Sequence, residues 1–485
     1  MQKTYIIFLL LLLNFNGISQ HSFETIITSP LDESLSDAVE DKEGNYIFVG
    51  AKRCHETGDG DAYILKVSPV GDTIITKTFY ISDTNTYFTN ILLADYNKYF
   101  VFCISGARDT YFYEKIRIYE LDVNFNILWE KSYHCPEGYQ GFIDGVVMYD
   151  SRDNIILATS VKYEYNHSDL IMYKLDNNGD TLSSQCHHFV ATQVPYDILE
   201  KKDSTGYIVF GSLFPQSLTW SQTVEIDTSL NIKNIDSIAG WVNPPLSAKW
   251  LTDTTYIVSA KYTWPDSSPQ DDDITVKVID TSNNIQYEKF FGRKDTLDYP
   301  AWRDAIDFID KDAIYVGGQR VLYSSFSSTS TYLQLVLLDS TLQVRGKKFY
   351  GDDADYTLHG VLATSDGGCI MYASRYDYLT QYEEKDIYLL KVMEDSIAVS
   401  TSSKPVIKPK EVRVYPNPGI NTLRIATALK NIQFEMYNMN GEKILSREIE
   451  NNNTSFDVSK ILSGIYLYKI YNSKKVYETG KWVKK

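Results

Sequence analysis

The sequence predicts an all-β chain, a seven-bladed β-propeller followed by a small Ig-like β-sandwich. Three observations carry this reading. One short strand pattern returns seven times at intervals of roughly 49 to 57 residues, close to the blade period of known propellers. A second strand pattern follows most of these copies after a loop. The last seventy-odd residues break into short alternating runs such as Leu423-Arg424-Ile425, Phe434-Glu435-Met436-Tyr437 and Tyr466-Leu467-Tyr468-Lys469-Ile470, separated by Gly and Asn turns.

Taken in order, the chain opens on Lys3 and an apolar run from Tyr5 to Leu13, closed by Asn14 to Ser19. A charged start, a short apolar stretch and a small-residue exit describe a signal peptide over residues 1–19, cleaved before Gln20. The run is too short to span a bilayer, and no later stretch approaches about 18 apolar residues. No Cys follows it, which speaks against a lipoprotein anchor.

The repeat occupies residues 20–399. Its first element reads Gly44-Asn45-Tyr46-Ile47-Phe48-Val49-Gly50 and returns as Asn97 to Cys103, Asp153 to Thr159, Gly206 to Gly211, Thr255 to Ala260, Asp312 to Gly317 and Gly368 to Ala373. The second element reads Asp61-Ala62-Tyr63-Ile64-Leu65-Lys66, then Asp169 to Lys174, Asp272 to Lys277 and Asp386 to Lys391, with three drifting copies. Each unit is thus expected to hold four strands, A to D. Seven such units resemble the seven-bladed propeller repeats of secreted bacterial proteins, with their Asp-Ala-apolar-Lys strand. The seventh unit has only a weak fourth segment near Ser396 to Val399. The segment 23–28 looks like the D strand Thr73 to Thr76, so it is expected to complete that last blade and remove an open edge. Residues 400–410, with Pro405, Pro409 and several Ser, read as a linker to a domain at 411–485.

That last domain holds Tyr415-Pro416-Asn417-Pro418, then Asn440-Gly441, Asp457 and Ser459, Gly464 and Tyr466, and a basic end at Lys484-Lys485. In this order and spacing the residues closely resemble the C-terminal sorting domain of the bacterial type IX (Por) secretion system. The resemblance implies a Bacteroidetes-type cell and passage through the periplasm to the outer-membrane surface or the medium. The implied partners are the type IX machinery and its C-terminal signal peptidase, which removes the tail.

Charge narrows the partners of the remainder. The segment from Glu411 onward holds twelve Lys/Arg against seven Asp/Glu, so the formal charge of −16 becomes −21 for everything before it. Such a surface repels phosphate backbones and anionic lipid, which excludes nucleic acid as the expected partner.

In a four-stranded blade the D–A and B–C loops share one face. Here those loops are long and aromatic, whereas the A–B and C–D turns are short. Binding residues concentrate on loops carried by a rigid scaffold, and Tyr and Trp offer stiff contact area with a polar handle. Candidate ligand contacts are Tyr113, Tyr165, Trp220, Trp241, Trp264, Tyr299, Trp302 and Tyr378; the alternative for each is loop packing. Strand A openings align at Asp37, Asn90, Asp144, Asp197, Ser247, Asp304 and His359, expected to ring the channel mouth. Clustered carboxylates suit Ca²⁺ or sugar hydroxyls; the competing role is capping of backbone amides.

No cofactor or metal site is otherwise expected. Five Cys without a CxxC spacing form no framework, and the Cys-His pairs at Cys54, Cys135 and Cys186 fall in different repeats. There is no GxSxG, HExxH or P-loop. The expected function is an exported protein that binds an extracellular glycan or protein through its aromatic face. The alternative is a polysaccharide-active hydrolase or lyase working at the channel mouth. A glycan site predicts coplanar exposed rings beside Asp and Asn, a protein site a larger patch with an apolar centre, and an enzyme converging ionisable groups with displaced pKa values.

Overall fold

The computed structural model describes residues 22–54, 57–95, 98–108, 113–164, 167–189, 192–214, 220–238, 242–264, 271–293, 296–322, 331–378, 384–397, 412–417, 419–427, 429–449, 453–472 and 476–485. They fall into two compact units, divided near Thr401. Among the described residues everything regular is strand except a single 3-10 turn at Glu394–Ser396.

The large unit is a succession of four-stranded antiparallel sheets. The first is Asp32–Glu40, Tyr46–Arg53, Gly60–Val67 and Thr73–Phe79, paired in chain order. The next three begin at Thr84, Gly141 and Thr192 and repeat that order. Strands from Asn243 to Gly351 form one nine-stranded sheet, but its two halves meet only through a parallel contact of Asp272 with Leu297. In the last sheet Asp355–Ala363, Gly368–Tyr376 and Lys385–Met393 receive their fourth strand from the opposite end of the chain. Phe23–Ile27 pairs antiparallel with Lys385–Met393, from Phe23 opposite Lys391 to Ile27 opposite Ile387.

The core lies between sheets rather than within them, because both faces of the middle strands are apolar. Ile47, Val49 and Ile64 of the first sheet pack on Phe88, Val101 and Tyr119 of the second. Leu35, Phe48 and Tyr63 pack on Ile370, Tyr372, Ile387 and Leu389 of the last. First and last sheets therefore share one core.

Two recurrent side-chain devices explain the repeat. Most tight turns open on Asp: Asp41, Asp122, Asp150, Asp227, Asp280 and Asp339 each accept the amides two and four residues on, as Asp41 does from Glu43 at 2.9 Å and Asn45 at 2.8 Å. The third residue after Asp then takes positive φ: Gly44 at 77°, but Phe125 at 61°, Leu230 at 66° and Leu342 at 60°. Those three apolar side chains are fully buried. Burying each gives about 1.5–3 kcal/mol, which offsets a left-handed cost of about 1–2 kcal/mol.

The second device is the Lys of the Asp-Ala-apolar-Lys strand. Lys66 Nζ sits 2.8 Å from Asp41, Lys174 Nζ 3.6 Å from Asp150, and Lys391 Nζ pairs with Asp366, so each amine is held by a turn carboxylate of its own sheet. Where that turn is Thr252 to Thr255, headed by Thr rather than Asp, Lys277 pairs with Glu288, at 2.8 Å.

The small unit has a three-stranded sheet, Val412–Tyr415, Thr422–Thr427 and Asn453–Asp457, and a four-stranded sheet. The latter runs Lys443–Ile449, Ile432–Tyr437, Gly464–Tyr471, Val476–Lys484. They enclose Leu423, Ile425, Phe434, Met436, Ile470 and Trp482, all fully buried.

Candidate functional site: a cavity at the opening of the first strands

First strands of neighbouring sheets are tied by carboxylates. Asp37 accepts the amide of Ala38 at 2.7 Å and of Ile91, in the next sheet, at 2.9 Å. Asp197 does the same with Ile198 at 2.8 Å and Ala248 at 2.7 Å. Asp307, which the sequence pattern did not single out, takes Phe308 at 2.8 Å and Ala363 at 2.7 Å. Each of these carboxylates bridges two sheets through their backbones.

The seven residues expected to form one ring do not share one position. Asp37, Asn90, Asp197 and Ser247 occupy the same ladder position, opposite Val49, Phe102, Phe210 and Ser259. His359 is the bulged residue of its strand, Asp144 lies within a bulge, and Asp304 has no ladder partner. The alignment of sequence alone misses this because a bulge adds a residue without changing the local pattern. His359 Nε2 meets Ser374 Oγ at 2.8 Å, and Asp304 accepts the hydroxyl of Tyr372 at 2.8 Å.

Arg303 crosses between distant sheets. Its Nη2 pairs with Asp144, and its Nη1 reaches the carbonyl of Thr89 at 3.4 Å. Its backbone amide donates to the carbonyl of His359 at 2.8 Å, which anchors the residue on the last sheet. Beside this bridge lies a cavity of about 470 Å³, within the range of small-ligand sites. Ser36, Thr89, Asp144, Lys162 and Arg303 supply its polar wall; Tyr87, Tyr113, Phe142 and Ile143 supply much of the rest. The rings of Tyr87 and Tyr113 meet edge to face, centroids 5.5 Å apart and planes at 78°. A cavity of about 630 Å³ near Glu394 and Ile397 has no aromatic ring among its described lining residues.

Of the nominated residues, Tyr113 and Asp144 line the cavity. Trp302, adjacent to Arg303, is 63% exposed, and Trp264 is 38% exposed. Trp264 Nε1 donates to Asp273 at 2.8 Å and its ring packs on Tyr262 and Phe290, a separate aromatic group. Tyr299 is half-buried, with Lys261 Nζ 5.7 Å from its ring, and Tyr378 is half-buried. Tyr165, Trp241 and the side chain of Trp220 lie outside the described residues. Sequence reasoning missed Arg303 and Lys162; Arg303 stood between two nominated residues, Trp302 and Asp304.

Electrostatics around the cavity are strongly displaced. Burial, then the neighbouring Asp304, pushes the Asp37 carboxyl well above its usual range. Burial raises Asp304 as well, and lifts Asp197 to about 7. Burial lowers Arg303, and lowers His359 to about 4 with Lys385 and Arg303 adding to it. For a carboxyl raised in the folded state, the penalty is absent below the unfolded value near 3.9 and complete above the folded one. Asp197 therefore contributes stability that rises as pH falls from 8 to 5, while His359, lowered in the folded state, contributes in the opposite direction below about 6.5. Melting temperatures over that range should show the rise flattened in Asp197→Asn; an unchanged slope would remove Asp197 as its source.

The small unit has its own geometry. Asn417 Nδ2 donates to the carbonyl of Lys481 at 2.7 Å, and Asn417 Oδ1 accepts the amide of Val483 at 2.9 Å. Trp482 Nε1 donates to the carbonyl of Pro416 at 2.7 Å. Gly419 exchanges backbone bonds with Val483 at 2.8 Å and Lys485 at 2.9 Å, and a Cβ there would come within 2.6 Å of the Trp482 ring. The Asn438 to Gly441 turn repeats the Asx device, with Asn438 Oδ1 accepting from Asn440 and Glu442 and Gly441 at φ 81°. Asp457 accepts the amide of Ser459 at 2.9 Å, and Tyr466 OH donates to Leu462 at 2.7 Å. Tyr415 is half-buried and Lys484 buried; Pro418 lies outside the described residues. Asn417, Gly441, Asp457 and Tyr466 among the motif residues thus close turns or lace the last strand to the Tyr-Pro-Asn segment.

Residues 413–485 match the secretion system C-terminal sorting domain. This unit is a sorting domain. The protein is accordingly exported through the type IX route to the outer-membrane surface or the extracellular space, and it engages that machinery. Among the described residues no helix is long and apolar enough to cross a membrane. No curated protein matches the chain. Among solved structures it is similar to the polysaccharide lyase Uly1, at 7% identity and TM-score 0.44, over 74% of this chain and 90% of that one. It is also similar to the β-propeller domain of the Trilobed protease from Pyrococcus furiosus, at 9% and 0.40, over 77% and 98%. A protein of unknown function from Dyadobacter fermentans matches at 8% and 0.43, over 68% and 96%. Similarity this distant assigns no activity to the chain.

Proposed function

We propose that the exported body is a seven-bladed propeller that binds an extracellular glycan at the channel mouth. The nine-stranded sheet, held at its middle by one parallel contact, is read as two blades, and Phe23–Ile27 closes the last blade. Residues 1–19 act as the leader, residues 400–410 as the linker, and 411–485 as an Ig-like address removed after export. The observation that carries the binding role is the cavity beside Arg303, where hydroxyl, cationic and carboxylate groups converge with Tyr87 and Tyr113. Tyrosine rings cover the faces of sugar rings, while the Arg303–Asp144 pair, whose carboxylate also accepts the Gly145 amide at 2.9 Å, sets charged groups in the wall against which hydroxyls can bond. The edge-to-face setting of Tyr87 and Tyr113 supports one enclosed sugar rather than a flat platform for a long chain.

One observation favours the second reading, a polysaccharide-active enzyme: Asp37, Asp304, Tyr372 and Arg303 lie together with displaced pKa values. Against it, Asp37 spends both oxygens on backbone amides and Asp304 receives the Tyr372 hydroxyl. Those bonds support a structural role for the carboxylates.

The exported protein is expected to retain members of a glycan array, with and without Ca²⁺. Arg303→Met should weaken retention by about tenfold or more, the loss of one charge-assisted contact. Trp302→Ala should weaken it less, and Trp264→Ala should leave it unchanged. Silence across the array would turn the reading toward a protein partner, and release of shortened or unsaturated oligosaccharide would turn it toward catalysis.

A further inference from the structure

The four-stranded sheet of the sorting domain buries one face and leaves the other bare. Tyr466, Tyr468 and Ile470 point inward with Phe434, Met436 and Trp482. The alternate positions of the same strand point outward, and Ile465 and Leu467 there are 44% and 47% exposed. Register extends that face across all four strands. Leu467 lies opposite Tyr437 on one side and Lys481 on the other, Tyr437 lies opposite Lys443, and Ile465 lies opposite Val483.

The rim of this apolar stripe is basic. Lys443 and Lys469 both reach Glu435, at 2.6 and 3.1 Å, and Lys481 is exposed beside Leu467. Two lysines thus share one glutamate and a third stands beside Leu467, on a domain carrying +5, whereas the rest of the chain carries −21. Exposed apolar surface rimmed by charge marks an interaction site, and a basic rim selects an acidic partner. The side chains of Ile465, Leu467 and Lys481 make none of the domain's turn and lacing bonds, in which Lys481 takes part only through its backbone carbonyl, so those bonds do not account for these side chains.

We propose that this outward face, with Ile465 and Leu467 at its centre and Lys443, Lys469 and Lys481 at its edge, is where the export machinery holds the protein. The partner is a component of that machinery presenting an apolar surface edged with carboxylates. The inference rests on the sorting-domain match and is independent of what the propeller binds.

The test follows export of the full chain in a bacterium that runs the type IX route. Leu467→Glu and Lys481→Glu should each cut the extracellular and surface fraction by about tenfold, with the missing protein held in the periplasm. Arg424→Glu, an equal charge reversal on the exposed side of the other sheet, should be exported normally. Thermal unfolding of the purified variants should match the wild type. Wild-type export of Leu467→Glu with its melting temperature preserved overturns the proposal. If Leu467→Glu unfolds early, Lys481→Glu decides, because an exposed lysine changes charge without touching the core; normal export of that variant also overturns it.

Discussion

Asn417→Ala is expected to keep most of the protein inside the cell. The side chain of Asn417 is exposed, yet both its polar atoms are spent on the last strand, one on the carbonyl of Lys481 and one on the amide of Val483. Alanine removes both bonds and leaves the Val483 amide without that acceptor, a loss of about 1–3 kcal/mol. That is a large share of what a domain of seventy-odd residues has available. The neighbouring contacts depend on the same lacing, since Trp482 hangs its indole on Pro416 and the Gly419 backbone pairs with Val483 and Lys485. Once the last strand frays, the fully buried Trp482 loses its cover and the address is no longer presented. The measurement is the ratio of surface-plus-medium to periplasmic protein, with melting of the large unit as control. Removal of Trp482 to Lys485 should have the same effect and be more severe. Normal export of Asn417→Ala would show that the Tyr-Pro-Asn segment is recognised for its own residues rather than for the strand it holds.

Local devices were legible in the sequence and long-range ones were not. The recurring strands and the sorting motif act within a few residues, so pattern and spacing reveal them. The match over residues 413–485 and the succession of four-stranded sheets agree with what those patterns imply. The Lys of the second repeat element was visible as a letter, but its partner, a turn carboxylate about 25 residues away, is visible only in three dimensions. Arg303 is the extreme case: it reaches Thr89 across 214 residues and Asp144 across 159. Bulges added a further blind spot. They move Asp144 and His359 off the ladder position held by Asp37 while leaving the polar–small–apolar reading intact. The aromatic loops were equally ambiguous, because the same composition serves the Tyr87–Tyr113 wall of the cavity and the Trp264–Tyr262–Phe290 packing group.

Lys391→Met is expected to cost about 3–5 kcal/mol of folding stability, the penalty for leaving a buried carboxylate without its partner. Lys391 is 1% exposed, and its amine is held by Asp366 and by the hydroxyl of Tyr46. Asp366 belongs to a turn of the last sheet and Tyr46 to the first, so one ammonium joins the two ends of the large unit. The same seam holds the pairing of Phe23–Ile27 with Lys385–Met393 and the bond of Tyr388 to Glu24 at 3.0 Å. Lys66→Met removes an equivalent pair within the first sheet alone, and it should cost less because no second sheet hangs on that amine. Burial raises the Asp366 carboxyl, but the Lys391 ammonium and the Thr364 hydroxyl bonded to it outweigh that and hold it below its ordinary value. A carboxyl depressed in the folded state stabilises above its unfolded value near 3.9 and loses that contribution as pH falls through the folded one. The gap between wild type and Lys391→Met should then be full from pH 8 to about 5 and close below pH 4. Denaturant titration of both proteins at these pH values measures it, and adding Asp366→Asn to Lys391→Met should recover part of the loss. A gap that persisted unchanged into acid would mean that the methionine fails by packing rather than by charge, and that the seam closes through its strands alone.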